Sequence, residues 1–195
     1  GGSTQLLYVP IEGSVVIRDY HNEKYYVEGV DFEVDYKTGT VYVDGNKNYT
    51  FNGSGRLVGS TALHKTGTGV LTISNDNTYT GGTRLSGGTT VVNTLSNTTQ
   101  SYGGLGSVIT NADKFIIENG AVLKTTGGTT MGSPMRMLGT QGGEISNQMD
   151  FIVNQPISGT VLTKSGGGWM KLNVNNTLQR MIIKEGTVQC VACSN

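Results

Sequence analysis

Few residues of this chain have the types and spacing that chemistry requires. The two cysteines, Cys190 and Cys193, form a C-x-x-C near the end of the sequence. A redox pair of this spacing usually opens a helix in a βαβ unit, and a zinc site needs two further ligands. No helix is indicated here, and the two histidines, His21 and His64, stand alone. We expect Cys190 to be a core strand residue and Cys193 a terminal thiol, with a local disulfide as the alternative.

Carboxylate chemistry finds equally little support. Glycoside hydrolysis needs a pair of carboxylates, and a lyase needs calcium together with a basic residue. From residue 63 onward the acids are few and scattered: Asp76, Asp113, Glu118, Glu144, Asp150 and Glu185. Asp31, Glu33 and Asp35 share one face of a predicted strand, where calcium could find oxygen ligands, but the pattern favours a solvated face. We predict no catalytic residue, no metal site and no cofactor.

Aromatic side chains are the remaining candidates for binding a ligand, because a flat ring can stack on a sugar. Tyr42 alternates with Val41 and Val43, so we expect it to face outward from a strand. Trp169 replaces a small hydrophobe in a recurring segment, which favours a ring that plugs the core or caps a coil over one that stacks on glycan. Tyr42 and Trp169 are the two glycan-stacking candidates.

The composition indicates many short strands. The chain has 195 residues, of which 30 are glycine and only 14% are charged, against about 25% in an ordinary soluble domain. Gly, Thr and Asn are poor helix formers, and no long apolar run has a 3.6-residue period. The net charge is zero and no basic patch stands out in the sequence, so we expect no nucleic-acid partner. No apolar run predicts membrane insertion.

The sequence changes character near residue 46. Before it, residues 31–36 alternate acid and apolar side chains, which is typical of a half-buried strand, and Asp44-Gly45 is a strong hairpin-turn dipeptide. Seven of the nine tyrosines fall within residues 1–50. We therefore predict a small β-meander or cap over residues 1–46 and a different architecture over residues 47–195.

The second region consists of apolar stretches of three to five residues separated by Gly, Asn, Ser and Thr. Each stretch is too short for a good helix and fits one side of a coil. Two internal echoes support a stack: 63–73 shares L-x-K-[ST]-G-x-G with 162–172, and 116–122 resembles 182–188. The predicted fold is all-β, with a right-handed parallel β-helix of roughly six or seven coils, a solenoid, after the meander.

One segment carries a family resemblance. Residues 63–73, followed by N-x-Y-x-G-G-T at 77–83 and L-S-G-G-T at 85–89, resemble the autotransporter-associated β-strand repeat, also called the passenger-associated transport repeat. Residues 162–191 look like a second, degraded copy that lacks the N-x-Y-x-G-G-T segment. The resemblance implies a β-helix in a secreted or cell-surface protein of a Gram-negative bacterium. It transfers no catalytic residue.

These observations predict a non-enzymatic structural or adhesive module, the stem of a larger secreted or cell-surface protein. Its expected location is extracellular or at the outer-membrane surface. Its expected partners are other domains of a longer polypeptide, together with host or dietary glycans or a surface protein. The alternative is a carbohydrate-active β-helix enzyme, either a polysaccharide lyase or a glycoside hydrolase, although a fold by itself supports no activity.

Overall fold

Short strands make up nearly all the regular structure of this chain. The structure is a computed structural model and describes residues 17–18, 25–26, 28, 32–43, 46–52 and 55–191. Within these residues the one helical element is a 3₁₀ turn at Ala112–Lys114. None of the described residues form a helix with the length and apolar character that crossing a membrane would need. The predicted all-β class is confirmed.

The chain opens with two antiparallel pairings. Strand β1 (Ile17–Arg18) pairs with β2 (Tyr25–Tyr26), and β3 (Glu33–Asp35) pairs with β4 (Thr40–Val43). Asp35 closes the turn between β3 and β4, because its carboxylate accepts hydrogen bonds from the backbone N–H groups of Lys37 and Thr38 and from the Thr38 hydroxyl. Asp31, the first residue of the acidic face predicted above, lies outside the described residues, as does the Asp44-Gly45 turn.

From β4 onward the strands stack in parallel. The other edge of β4 pairs in parallel with β6, so β4 joins the antiparallel start to the stack. The division of the chain at residues 46 and 47 stays a prediction. The first sheet contains, in spatial order, β4, β6 (Ala62–Lys65), β8 (Gly82–Leu85), β10 (Phe115–Glu118), β13 (Met135–Leu138) and the first parts of β16 (Ile157–Ser165) and β18 (Thr177–Ile183).

Two further sheets form the remaining sides of the solenoid. The second sheet contains β5 (Tyr49–Phe51), β7 (Val70–Ile73), β9 (Thr89–Val92), β11 (Ala121–Thr125), β14 (Gly143–Asn147) and the second parts of β16 and β18. The third sheet begins only in the fourth coil and contains β12 (Thr129–Met131), β15 (Phe151–Val153), β17 (Trp169–Leu172) and β19 (Thr187–Cys190). The result is a parallel β-solenoid of about 7 turns, which confirms the predicted parallel stack; its right-handed sense stays a prediction.

The register sets the coil length. Ala62 pairs with Gly82 and Ile116 with Arg136, which are steps of 20 residues. The step from Thr83 to Phe115 is 32 residues, because the chain leaves the stack after β9 and returns at the 3₁₀ turn. Coil length is therefore not constant along the chain.

The core is a set of inward-facing columns. One column of the first sheet stacks, coil after coil, Val43, Lys65, Leu85, Ile117 and Met137. All five are at most 1% exposed, and each apolar member contributes about 1.5–3 kcal/mol by leaving water. No coil could bury these side chains by itself, so the stack is the folding unit.

Cys190 is a strand residue, as predicted, but the prediction that it lies in the core is wrong. Cys190 ends β19 in the last described coil, where its side chain is exposed, and it is disulfide-bonded. Among the described residues no strand pairs with the far edge of β19, so nothing covers its inward-facing side chains. Cys193, the other cysteine of the chain, lies outside the described residues.

Candidate functional site

The lysine of the shared L-x-K-[ST]-G-x-G segment is a buried corner residue. Lys65 and Lys164 are both 0% exposed. The Lys164 ammonium donates to the carbonyl oxygens of Ser165 at 2.8 Å, Gly166 at 2.6 Å and Glu185 at 3.1 Å. Burial lowers the pKa of Lys164, and the charge of Glu185 opposes that shift. The three donors of one ammonium are thus matched to three backbone carbonyls at one corner.

Lys65, the matching lysine of the first copy, makes the same arrangement at a different corner of the coil. Its ammonium donates to the carbonyls of Thr66, Gly67 and Gly87. Segment 63–73 runs from β6 to β7, across the corner between the first and second sheets. Segment 162–172 runs from β16 to β17, across the corner between the second and third sheets. The two similar segments therefore form the same kind of corner, but at successive corners of the solenoid cross-section.

The asparagine of the N-x-Y-x-G-G-T segment ties neighbouring coils together. The Asn77 side chain is fully buried; its Oδ1 accepts from the Leu57 N–H at 2.8 Å and its Nδ2 donates to the Gly104 carbonyl at 2.9 Å. In the second copy, Asn176 Oδ1 accepts from the Ile157 N–H at 2.8 Å. Both asparagines lie where the chain returns to the first sheet. The second copy thus keeps the asparagine, although the sequence motif around it is lost.

The tyrosine and glycines of the same motif are also structural. The Tyr79 hydroxyl and the Thr83 Oγ1 lie 2.6 Å apart in the core, and burial raises the pKa of Tyr79. At Gly81 a Cβ would lie 2.3 Å from the Ser60 carbonyl oxygen of the preceding coil, so only glycine fits that approach. These motif residues therefore hold neighbouring coils at close distance.

The outer face of the first sheet gathers a polar cluster that the sequence did not reveal. His64 Nε2 lies 2.8 Å from Ser86 Oγ, and the Ser86 hydroxyl donates to Glu118 Oε1 at 2.6 Å. Arg84 donates to both oxygens of Glu118, at 2.7 Å and 2.8 Å. The ring of Tyr42, the first stacking candidate, lies 5.4 Å from the His64 ring between centroids. The five residues come from four successive coils, those of β4, β6, β8 and β10.

This cluster does not have the order of a hydrolytic triad. In a triad the histidine stands between the acid and the nucleophile, and the acid orients the imidazole. Here Ser86 stands between His64 and Glu118, and the carboxylate is held by Arg84. The hydrogen bonds from Arg84 hold the pKa of Glu118 below its usual value, whereas a general acid needs a raised pKa. The cluster instead joins successive coils by hydrogen bonds on the outer face of the first sheet.

Three of the other carboxylates that are scattered in the sequence also pair across coils. Glu144 accepts from Lys184 and Ser165, and these hydrogen bonds outweigh the desolvation that raises its pKa, so that the net shift is downward. Asp113 pairs with Arg136, and Asp150 pairs with Lys171. Within the described part of the chain, no group of three or more His, Cys, Asp or Glu side chains could hold a metal ion.

Trp169, the second stacking candidate, lies on the surface and not in the core. It opens β17 with 48% of its surface exposed, while the next residue, Met170, points inward and is buried. The expectation that its ring plugs the core is wrong, because Trp169 takes the outward position of the alternating strand, as the aligned Val70 does at the start of β7. That its ring caps a coil stays a prediction. The Lys171 ammonium lies 6.0 Å from the Trp169 ring centroid, within cation–π range.

A groove lined mostly by polar residue types lies beside Trp169 on the outer face of the third sheet. It has a volume of about 200 Å³, and its walls come from the 32-residue coil and from β12 and β15. The lining residues are Thr94, Leu95, Asn97, Gln100, Gly128, Thr129, Thr130, Asp150 and Ile152. Asp150 connects the groove to Trp169, since its carboxylate bonds Lys171 at 2.7 Å. Sequence analysis missed the groove, because the residues that form it are brought together only by the insertion.

Comparison with known families agrees with the geometry of the corners. Residues 63–92 match the passenger-associated-transport-repeat, and this match spans β6 to β9 with the Lys65 corner, Asn77 and Tyr79. The repeat is typical of autotransporter passenger regions, which are secreted or exposed at the cell surface. The resemblance predicted from the sequence is confirmed over these residues. No curated protein and no solved structure matches the chain.

Proposed function

We propose that this chain is a non-enzymatic stem segment of a larger secreted or cell-surface protein of a Gram-negative bacterium. The observation that carries the proposal is that the residues of the matched repeat all serve the stack. The Lys65 ammonium hydrogen-bonds backbone carbonyls at a corner, and the Asn77 side chain joins neighbouring coils. The Tyr79 hydroxyl hydrogen-bonds Thr83 in the core. A motif used in this way builds a rod that separates and presents neighbouring domains.

The paired carboxylates support a non-enzymatic stem over a carbohydrate-active enzyme. An acid–base mechanism on a sugar needs one carboxyl group with a raised pKa beside a second, ionised one. Glu118 and Glu144 each have a lowered pKa, and Asp113 and Asp150 each bond a base from another coil. These four acids are already engaged as cross-coil ties.

The stem proposal includes contact with glycans. The outer faces are rich in hydroxyl and amide side chains and poor in charge, with 14% charged residues in the chain. Such a face loses little solvation energy when it meets a sugar, since both surfaces exchange one set of neutral hydrogen bonds for another. The other domains of the polypeptide are its remaining partners.

Two measurements test the stem. An epitope tag inserted at the exposed residue Gly55 of the full-length protein is expected to react with antibody on intact cells, and labelling only after cell lysis would contradict a surface stem. Incubation with a panel of polysaccharides is expected to release no reducing ends and no unsaturated products. Turnover that is lost in Glu118→Gln or Asp150→Asn would instead establish the enzyme.

A further inference from the structure

We propose that the outer face of the third sheet binds an uncharged oligosaccharide, with Trp169 as the stacking platform and the adjoining groove as the polar subsite. The inference rests on the glycan contact in the proposed function, and it adds the place, the residues and the class of ligand. The face is defined by the groove residues together with Trp169 and Lys171.

Strand register makes this face continuous. Phe151 pairs with Met170 and Thr129 with Phe151, so the preceding positions Gly128, Asp150 and Trp169 follow one another across three coils. Neighbouring strands lie about 4.8 Å apart, which is comparable to the length of one sugar ring. An extended saccharide that lies across the strands can therefore present one ring to Trp169 and the next ring to the groove.

The polar groups of the groove suit a sugar. The side chains of Gln100 and Thr130 make no hydrogen bond within the described part of the chain, although both line the groove. The Asn97 Oδ1 is engaged by Thr99 and Gln100 backbone N–H groups, which holds the loop in place. An amide both donates and accepts, as does a hydroxyl, and these are the groups that match the hydroxyls of a sugar.

The charge of the face selects a neutral ligand. Asp150 is the single charged residue among those that line the groove, and Lys171 neutralises it at 2.7 Å. An acidic polysaccharide would bring its carboxylates or sulfates close to the Asp150 carboxylate, while Lys171, the neighbouring cation, is already paired with Asp150. The indole of Trp169, about half exposed, offers the large flat apolar surface that a sugar ring covers and that water solvates poorly.

The chain supplies its own reporter, because Trp169 is its single tryptophan. We would titrate the protein with neutral oligosaccharides of glucose, mannose, galactose and xylose, and with polygalacturonate and heparin as acidic probes. The expected result is a blue shift of tryptophan emission and reduced acrylamide quenching with at least one neutral oligosaccharide. The same ligand is expected to raise the melting temperature, since it binds the folded state alone.

Variants locate the site. Trp169→Ala and Gln100→Ala are expected to weaken binding about tenfold or more in the thermal-shift titration, as loss of a central anchor does. Tyr102→Ala is the matched control, because Tyr102 is another exposed aromatic ring, 41% exposed, with Arg56 at 6.0 Å from its centroid. It is expected to bind as the unchanged protein does. Unligated melting temperatures of all variants show whether each one folds.

Other outcomes overturn the inference in distinguishable ways. Binding that survives Trp169→Ala but is lost in Tyr42→Ala would move the site to the first sheet and leave glycan contact intact. Binding of the acidic probes alone would refute a neutral ligand. A melting temperature that no saccharide raises would refute both this site and glycan contact, while surface labelling would still test the stem. Trp169-dependent self-association in sedimentation, without sugar binding, would make this face an interface between copies.

Discussion

Lys65 and Lys164 place their ammonium groups in equivalent positions of two different corners of the solenoid. Each donates to the carbonyls of the two residues that follow it and to one carbonyl in the next coil, at Gly87 and Glu185 respectively. A corner turns carbonyls away from any strand partner, and an unpaired buried carbonyl is costly. The lysine of the repeat is therefore explained by the backbone that it stabilises.

The first prediction concerns this lysine. Lys164→Met keeps the length of the side chain and removes its three donors, so we expect the free energy of unfolding in urea to fall by about 1–3 kcal/mol. Lys124→Met is the control, since Lys124 is a half-exposed residue of β11 and its loss is expected to change stability by less than about 0.5 kcal/mol. Equal effects of the two substitutions would contradict the role of the corner.

The second prediction concerns the asparagine that joins coils. Asn77→Ala removes a fully buried side chain and leaves the N–H of Leu57 without this acceptor, and we expect a loss of about 1–3 kcal/mol by chemical denaturation. Asn77→Asp keeps the acceptor for Leu57 but removes the donor to the Gly104 carbonyl, so any loss of stability in this variant comes from the Gly104 side. Asn176→Ala is expected to cost less, because Asn176 is only half-buried. A larger cost at Asn176 than at Asn77 would refute the equivalence of the two positions.

The third prediction concerns the turn between β8 and β9. Gly88 has φ of +61°, and a Cβ there would lie 2.3 Å from the Gly69 carbonyl oxygen. We expect Gly88→Ala to destabilise the protein by more than about 1 kcal/mol, from the left-handed backbone and the steric overlap together. Gly55→Ala is the matched control, since a Cβ there meets nothing within 4 Å. Melting curves of the two variants that coincide would contradict the close approach.

The fourth prediction concerns acid pH. Arg84 holds the pKa of Glu118 below its usual value, so the folded protein binds this proton less tightly than the unfolded chain does. Its stabilising contribution is complete above the ordinary carboxyl pKa and disappears as the pH falls through the lowered one. We expect the stability difference between the unchanged protein and Glu118→Gln to shrink between about pH 5 and pH 3.

The measurement is urea denaturation at each pH, for the unchanged protein, for Glu118→Gln and for Arg84→Ala. The pair is partly exposed at Arg84, with 47% of that side chain accessible, so its contribution near neutral pH is expected to be about 1 kcal/mol at most. A difference that is independent of pH would show that Glu118 keeps its usual pKa in the folded protein.

The strands, the corners and the repeat could be predicted from the sequence, because they depend on local residue types and spacing. The short strands, the corners at Gly67 and Gly166 and the repeat at residues 63–92 follow from spacing and from residue types that suit turns. The inward columns follow as well, since a strand that alternates every two residues must turn one set of side chains to the core. These features depend on neighbours within a few positions, which a sequence displays directly.

The candidate site could not be read in this way. Gln100 meets Asp150 and Thr130 at one groove only because a 32-residue coil carries an insertion past the third sheet. His64, Ser86 and Glu118 meet because successive coils bring distant residues into register. The length of each coil sets that register, and turn signals do not fix coil length within one or two residues.

The sequence by itself determined the class of structure, because Gly, Asn and Lys at the corners and apolar stretches of strand length permit a stacked coil and little else. Only the tertiary structure decided which face each segment occupies. Trp169 lies on the surface because it takes the outward position beside the inward Met170, and Cys190 lies outside the core because, among the described residues, no strand covers the last coil. Sequence pattern fixes what a coil is made of; packing against the adjacent coils decides which side chains meet.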